Sequence, residues 1–410
     1  MAIDPPNAAE LMFRELYRRS HRLAPDRLEE LLDTLIAEIG ASDAHVYLVD
    51  YQQSWLIRLA PGHDERLDVE TSMAGRAFST GEITNTSLEG TGVVWAPLID
   101  GAERVGVMRV TVDRADEETV ARIAHLAAAV THLVVSETKY TDAYAATARV
   151  ERMTLAAEMQ WSLLPPLTFT TEQVAVAGIL EPAYSIGGDA FDYAYNHGAV
   201  DIAILDGIGH GLEACLPTSL VMASLRHSRR SGLDLEELYH AADQVLREQF
   251  ADVRFATAQI GRLDLATGVL RWLNAGHPPP ILVRQGVIGP MPCRPSMPLG
   301  LGGKVEEIVE QRLQPGDRVL FYTDGVVEGQ PAGGEPFGEE RLMDLLDKEV
   351  LSDRIPAETV RRVAHAVLDH HAHDLRDDFT MVLVRYYGPS PASVPGSPEH
   401  GLTRDGPEPE

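Results

Sequence analysis

Apolar residues recur at helical spacing between Ala8 and Ile39, at Leu11, Leu16, Leu28, Leu31, Leu32, Leu35 and Ile39. A break near Pro25 divides them, so the pattern predicts two helices. The spacing then changes. DAHVYLVD (Asp43 to Asp50) and VGVMRVTVD (Val105 to Asp113) have the look of strands. Between them lie a short helix in SMAGRAFSTGEI (Ser72 to Ile83), bracketed by Gly75 and Gly81, and another strand in VVWAPLID (Val93 to Asp100), followed by the turn DGAER.

From Asp116 to Ser162 there is no Gly or Pro, and Ala, Glu and Arg abound. This predicts one long helix or two abutting ones. Leu126, Val130 and Leu133 open a 4-3 spacing that runs on through Glu137, Tyr140, Tyr144 and Thr147, where it turns polar. Two readings stand: a helix along a dimer axis, or a solvated spacer. MQWSLLPP (Met159 to Pro166) stops the helix, because Pro165 and Pro166 cannot continue it.

Beyond it, DIAILD, ATAQIGRLD, VLRWLNAG, RVLFYTDG and FTMVLVRYY predict strands. Helices are expected after Gly211, after Leu233, near Gly338 and from Pro356 to His373. Tight links such as DLATGV (Asp264 to Val269) point to antiparallel pairing rather than βαβ crossovers. The last 23 residues hold six prolines and several acids, a composition expected to be disordered. The expected organisation is a sensor-sized α/β domain over 10–136, a helical linker over 137–164, a larger α/β (α+β) domain over 165–387 and a tail over 388–410.

Composition narrows the partners. With 410 residues the chain has room for two or three domains, each with a core of its own. A formal net charge of −27 and only three lysines (Lys139, Lys304, Lys348) argue against nucleic acid or an anionic membrane as partner, and favour cations. Cys215 and Cys293 are the only cysteines, too few for a disulfide framework, which fits a cytoplasmic protein. The N-terminal segment lacks the apolar core of a signal peptide, and no stretch of transmembrane length is free of charges.

Candidate chemistry lies where acids border apolar runs. Asp189 stands in SIGGDAFD, Asp206 in IAILDGIGHG, Asp324 in VLFYTDGVVEG, and Asp377 with Asp378 in LRDDFTMVLV. A carboxylate at a strand edge is held on a rigid platform, and glycine beside it lets a cation or phosphate approach the backbone. Any single Asp-Gly is usually an ordinary turn; four such sites in one domain suggest one acidic cluster. Gathered carboxylates repel one another unless a cation neutralises them. All-oxygen ligands select a hard ion, Mg²⁺ or Mn²⁺, and two bridged ions would serve in-line phosphoryl transfer.

Two resemblances follow from these motifs. Gly75-Arg76-Ala77-Phe78, Thr80-Gly81, Trp95-Ala96-Pro97-Leu98 and Val105-Gly106-Val107 make the first domain similar to a GAF domain. No cysteine is present there for a covalent chromophore, and its histidines show no ligand spacing, so a small-molecule ligand of unidentified kind is what the resemblance implies. In the second domain, GGDAFD, LDGIGHG, NAGHPPPILV, PLGLG, PGDRVLFYTDGVVEG, FGEERL and DDFTMVLV follow one another in the order of the bacterial PPM/PP2C-type serine/threonine phosphatases of the SpoIIE and RsbU kind.

That resemblance, over about 157–387, implies a PP2C-like α-β-β-α sandwich of two antiparallel sheets flanked by helices, and a centre of two Mn²⁺ or Mg²⁺ ions. It implies hydrolysis of phosphoserine or phosphothreonine on a protein, in this family usually a STAS-type anti-sigma-factor antagonist. Asp189, Asp206, Asp324 and Asp377 match the family's metal-binding carboxylates, with Asp378 as the other member of its pair. Gly207 would lend a carbonyl oxygen, and Asp206 would bridge the ions at the reacting centre. The glycine after Asp206 departs from the Val-Ser pair common in this family. His210 could protonate a leaving oxygen or serve a structural role at a helix start. His277 reads first as a strand-to-turn device, and Asp192 as support behind the cluster or a cap of the local turn.

The resulting expectation is a cytoplasmic, homodimeric phosphatase controlled by its GAF-like domain. Its alternatives are a catalytically silent scaffold of the same fold and a small-molecule phosphohydrolase.

Overall fold

The computed structural model describes residues 16, 18 and 24–389, apart from 61, 89–90, 186, 210, 330–333, 373–374 and 376. Most of the first expected helix and the acidic, proline-rich tail therefore lie outside the described residues.

In the N-terminal unit, α1 (Leu28–Leu35) precedes β1 (Ala41–Val49), β2 (Trp55–Arg58) and β3 (Arg66–Asp68). Next come α2 (Met73–Thr80), β4 (Thr84–Leu88), β5 (Thr91–Asp100), β6 (Glu103–Val112) and α3 (Glu117–Glu137). The strands form one antiparallel sheet in the order β3-β2-β1-β6-β5-β4. The Ser72 hydroxyl caps α2 by accepting the Gly75 N–H, and Gly81 ends that helix in the left-handed region. One face of the sheet packs under α1 and α3 through Leu32, Val46, Met108, Ile123 and Val130. The other packs under α2 through Tyr47, Phe78 and Val107. The helix α3 has the length and hydropathy of a membrane span, but eight of its residues are buried, so its apolar face serves this core.

Neither the one long helix nor the two abutting ones expected over 116–162 form. The chain leaves α3 at Glu137, makes one short helix, α4 (Ala143–Thr147), and runs without helix to Thr154, where α5 (Leu155–Leu163) begins. Tertiary partners outcompete helix propensity here. The Tyr144 hydroxyl donates to Pro25 O and Glu137, Val150 N donates to the Tyr184 hydroxyl, and Thr154 caps α5 with its own side chain. The segment is folded back on both units and does not stand out as a spacer.

The C-terminal unit continues with β7 (Thr168–Thr170), β8 (Val174–Glu181), β9 (Ala190–Asn196), β10 (Ala199–Gly207), α6 (Leu212–Arg230) and α7 (Leu235–Gln249). Then follow β11 (Ala256–Asp264), β12 (Val269–Ala275), β13 (Ile281–Arg284), β14 (Val287–Pro290), β15 (Val309–Arg312) and β16 (Arg318–Tyr322). The last elements are α8 (Gly325–Glu328), α9 (Glu339–Leu351), α10 (Pro356–His370) and β17 (Phe379–Tyr386).

Two antiparallel sheets, β15-β12-β11-β10-β9 and β14-β13-β16-β17-β8-β7, pack face to face. Val176, Phe191, Ile202, Leu263, Trp272, Phe321 and Val382 fill the space between them. α6 and α7 cover the outer face of the first sheet, and α9 and α10 that of the second. This is the expected α-β-β-α sandwich. Every residue of β8 is buried, because both of its faces are covered, which is why it shows no alternation.

Candidate metal centre

The acids fall at one end of the sandwich, but not all at strand ends as expected. Asp206 is the penultimate residue of β10, and Asp324 lies two residues past the end of β16; Asp189 and Asp378 immediately precede β9 and β17. Antiparallel pairing explains the convergence. The start of β9 lies beside the end of β10, with Ala190 opposite Leu205, and the start of β17 beside the end of β16, with Met381 opposite Tyr322. Each sheet thus contributes one pair of acidic edges.

Hydrogen bonds lock the two edges together. Asp378 Oδ2 accepts from the backbone N–H groups of Gly188 and Asp189, both at 2.8 Å, and from Gly187 at 3.4 Å. The Thr323 hydroxyl donates to Asp189 Oδ2 at 2.7 Å and accepts from Thr380 N at 2.8 Å. Thr218 on α6 donates to Gly188 O at 2.7 Å, and Gly207 N donates to the same carbonyl at 3.1 Å. Two glycines are required by this close approach. A Cβ on Gly188 would sit 2.3 Å from Gly207 O, and one on Gly207 would sit 2.4 Å from the Thr218 hydroxyl.

Residues 196–387 match the family model for stage II sporulation protein E (SpoIIE). This stretch is similar to the SpoIIE-type phosphatase domain. It contains Asp206, Gly207, Asp324, Asp377 and Asp378, while Asp189 lies just ahead of it. Among curated proteins, the chain is 23% identical over 235 residues to phosphoserine phosphatase RsbU of Bacillus subtilis (strain 168), covering 56% of this chain and 69% of that one. It is 26% identical over 231 residues to phosphoserine phosphatase RsbP of the same organism, covering 54% of each. Among solved structures, the SiaA PP2C domain of Pseudomonas aeruginosa has a TM-score of 0.48 at 22% identity, over 56% of this chain and 94% of that one. The RsbU and RsbW domains of a Mycobacterium tuberculosis protein have a TM-score of 0.46 at 26% identity, over 53% of this chain and 61% of that one.

Electrostatics in the SpoIIE-type domain show what the cluster lacks on its own. Burial, with the charges of Asp378 and Asp206, holds the Asp189 carboxyl well above the usual carboxylate range. Burial, with Asp324, Asp378 and Asp377, pushes Asp206 up to about 8. Burial and Asp378 push Asp377 up to about 6, and burial raises Asp324 as well. Five mutually repelling carboxylates with no basic side chain among the causes of these shifts form a donor set that fits hard divalent cations. Among the described residues, no three acidic, His or Cys side chains already converge tightly enough to make a finished ligand cage. Asp378 is the most tied down, being held by three backbone N–H groups.

The remaining candidates separate from the cluster. Asp192 is buried and ion-paired with Arg226 and Arg229 of α6 at 2.7 and 2.8 Å, so it fastens that helix to β9. His277 is 5% exposed, with Nδ1 at 2.7 Å from the Thr257 hydroxyl; burial drives its pKa down to about 3, so it is a neutral interior group. The Asn274 side chain bonds both the N–H and the carbonyl of His277, fixing the turn. Arg318 starts β16, at the opposite end from Asp324, and pairs with Asp353. His210 and Arg376 lie outside the described residues. Thr323 and Thr218 were not singled out by sequence; the only signal was a hydroxyl residue between an apolar strand and Asp-Gly in YTDG.

Proposed function

We propose that this chain is a cytoplasmic, metal-dependent protein serine/threonine phosphatase acting on phosphoserine or phosphothreonine of a STAS-type anti-sigma-factor antagonist. The observation that carries this reading is the convergence of Asp189, Asp206, Asp324, Asp377 and Asp378 at one end of the sandwich. The names of RsbU and RsbP as phosphoserine phosphatases support the substrate class. Two free cysteines, Cys215 buried, suit a reducing compartment.

In this reading Asp189, Asp206, the Gly207 carbonyl, Asp324 and Asp377 would hold two Mn²⁺ or Mg²⁺ ions. When bound, such ions supply Lewis-acid polarisation of the phosphoryl oxygens and acidify attacking water. The chain's own part is positional: Thr323 orients Asp189, Asp378 fixes the loop carrying Gly188, and Thr218 holds that loop against α6. His210 is the candidate to protonate the leaving oxygen.

The GAF-like N-terminal unit serves as the sensor. The core beneath α2 is filled by Tyr47, Phe78 and Val107, so a small-molecule ligand is better accommodated by the cleft of about 970 Å³ between the units, lined by Val49, Glu103, Trp161, Pro166 and Phe169. Homodimer formation is supported by exposed Leu155, Leu212 and Leu216 on the adjacent helices α5 and α6.

Phosphate release from a phosphoserine STAS-domain protein, with and without Mn²⁺, tests the reading on wild type, Asp206→Asn and Asp324→Asn. Metal-dependent release lost in both variants supports it. Turnover of a generic aryl phosphate alone would discard the STAS substrate, and silence on both would favour a scaffold.

A further inference from the structure

We infer that the N-terminal unit is docked on the SpoIIE-type domain as a built-in input to its metal centre, through the β1–β2 turn and α10. This inference rests on the phosphatase reading and names the regulation of that site. The contact is a chain of alternating charge, buried except at its Glu70 end. Arg104, 6% exposed, donates to Glu358 Oε2 at 2.9 Å and to Gln53 Oε1 at 2.9 Å, with its guanidinium over the Phe78 ring. Arg361, 1% exposed, donates to both oxygens of Glu358, to Glu70 and, at 3.4 Å, to the Gln53 carbonyl. Glu70, Gln53 and Arg104 belong to the N-terminal unit; Glu358 and Arg361 belong to α10.

Buried guanidinium groups are costly unless each is paired. Separating the units would break Arg104 from Glu358 and Arg361 from Glu70, so the charges specify one docked arrangement. Apolar and polar contacts extend it. The Tyr51 ring lies 4.8 Å from that of Trp161, and Glu103 accepts from Thr168 N at 2.6 Å. His365 Nε2 lies 3.0 Å from the Gln52 carbonyl.

The docked turn reaches the frame of the metal centre from two sides. Gln52 Nε2 donates to Glu181 Oε2 at 3.2 Å. Glu181 ends β8 and sits opposite Phe379, the residue after Asp378. On the second side, α10 lays Val360, Val363, Ala364 and Val367 in the same core as Ile179, Phe379 and Met381. The turn thus braces both the strand edge and the helix that support the Asp377-Asp378 segment. The two arrangements are docked and undocked, and the docked one favours a metal-ready cluster. With the linker helix interrupted, this surface gives the N-terminal unit a direct physical connection to the centre.

The test compares full-length wild type, Gln52→Ala and Glu358→Gln. Mn²⁺ binding is measured by calorimetry, fold by circular dichroism, opening by limited proteolysis between residues 138 and 154, and turnover with p-nitrophenyl phosphate. The expected result is Mn²⁺ binding weaker by about fivefold or more in Glu358→Gln and by about two- to threefold in Gln52→Ala, with faster cleavage in both. Mn²⁺ affinity equal to or tighter than wild type in the folded variants overturns the inference. If Glu358→Gln does not fold, Gln52→Ala decides, since it removes no charge. Absence of turnover in all three proteins would count against the phosphatase reading, while the Mn²⁺ affinities would still judge the docking.

Discussion

The Thr323 hydroxyl reaches Asp189 Oδ2 at 2.7 Å across 134 residues of sequence, and it receives the backbone N–H of Thr380 at 2.8 Å. One side chain between Tyr322 and Asp324 thus couples the first sheet's acidic edge to the second's. Thr323→Val keeps the shape but strands a buried N–H and leaves the Asp189 carboxylate unguided. Mn²⁺ affinity should fall about tenfold, and Thr323→Ser should restore it. Calorimetric titration beside the phosphatase assay checks this; equal affinity in the Val variant would remove Thr323 from the positioning of Asp189.

Asp206 is both the predicted bridge and a source of repulsion. Without metal, burial and three neighbouring carboxylates raise its pKa to about 8. Asp206→Asn should therefore raise the Tm of the chelator-treated protein, while removing the further stabilisation that Mn²⁺ gives wild type. Turnover should drop by about two orders of magnitude or more. Thermal unfolding with EDTA or Mn²⁺ reads both signs in one experiment.

Glu181 provides a pH dependence away from the ligands. Full burial pushes its pKa from 4.5 up to about 8, against the Gln52 amide and the Ala183 N–H that donate to it. A raised folded-state pKa means that its contribution to stability is complete below about 4.5 and is lost as pH climbs through about 8. Glu181→Gln should flatten that decline. Urea unfolding of the metal-free protein at intervals across this window would show it, and an unchanged slope would contradict the assignment.

Asp192 separates support from ligation. Its two arginine partners belong to α6. Asp192→Ala should destabilise the domain by about 2 kcal/mol by leaving those partners unpaired, with Mn²⁺ affinity of the folded protein unchanged. Chemical denaturation and a metal titration together distinguish this from a ligand's loss.

Much of the acidic cluster was legible because its members carry a local signature. Asp206, Asp324 and the Asp377-Asp378 pair each sit beside apolar runs whose strand character needs no tertiary information. β10, β11, β12, β16 and β17 were read for the same reason, being continuous apolar stretches bounded by turns. Short strands such as β13 to β15, with four residues each, carry too little pattern to detect. The segment 116–162 had every local mark of a helix, yet Tyr144, Tyr184 and Thr154 find partners distant in sequence or cap a new helix, and these interrupt it.

By itself, the sequence determined the two units, the antiparallel links of the second and the identity of the acids, because hydrophobic period, glycine and charge act locally. Only the tertiary structure decided which side chains hold those acids and how the units meet. Thr323 to Asp189, Asp378 to the Gly188 loop, and Arg104 to Glu358 join residues 134, 190 and 254 positions apart. Such pairings arise from sheet register and burial, which no local window of the chain contains.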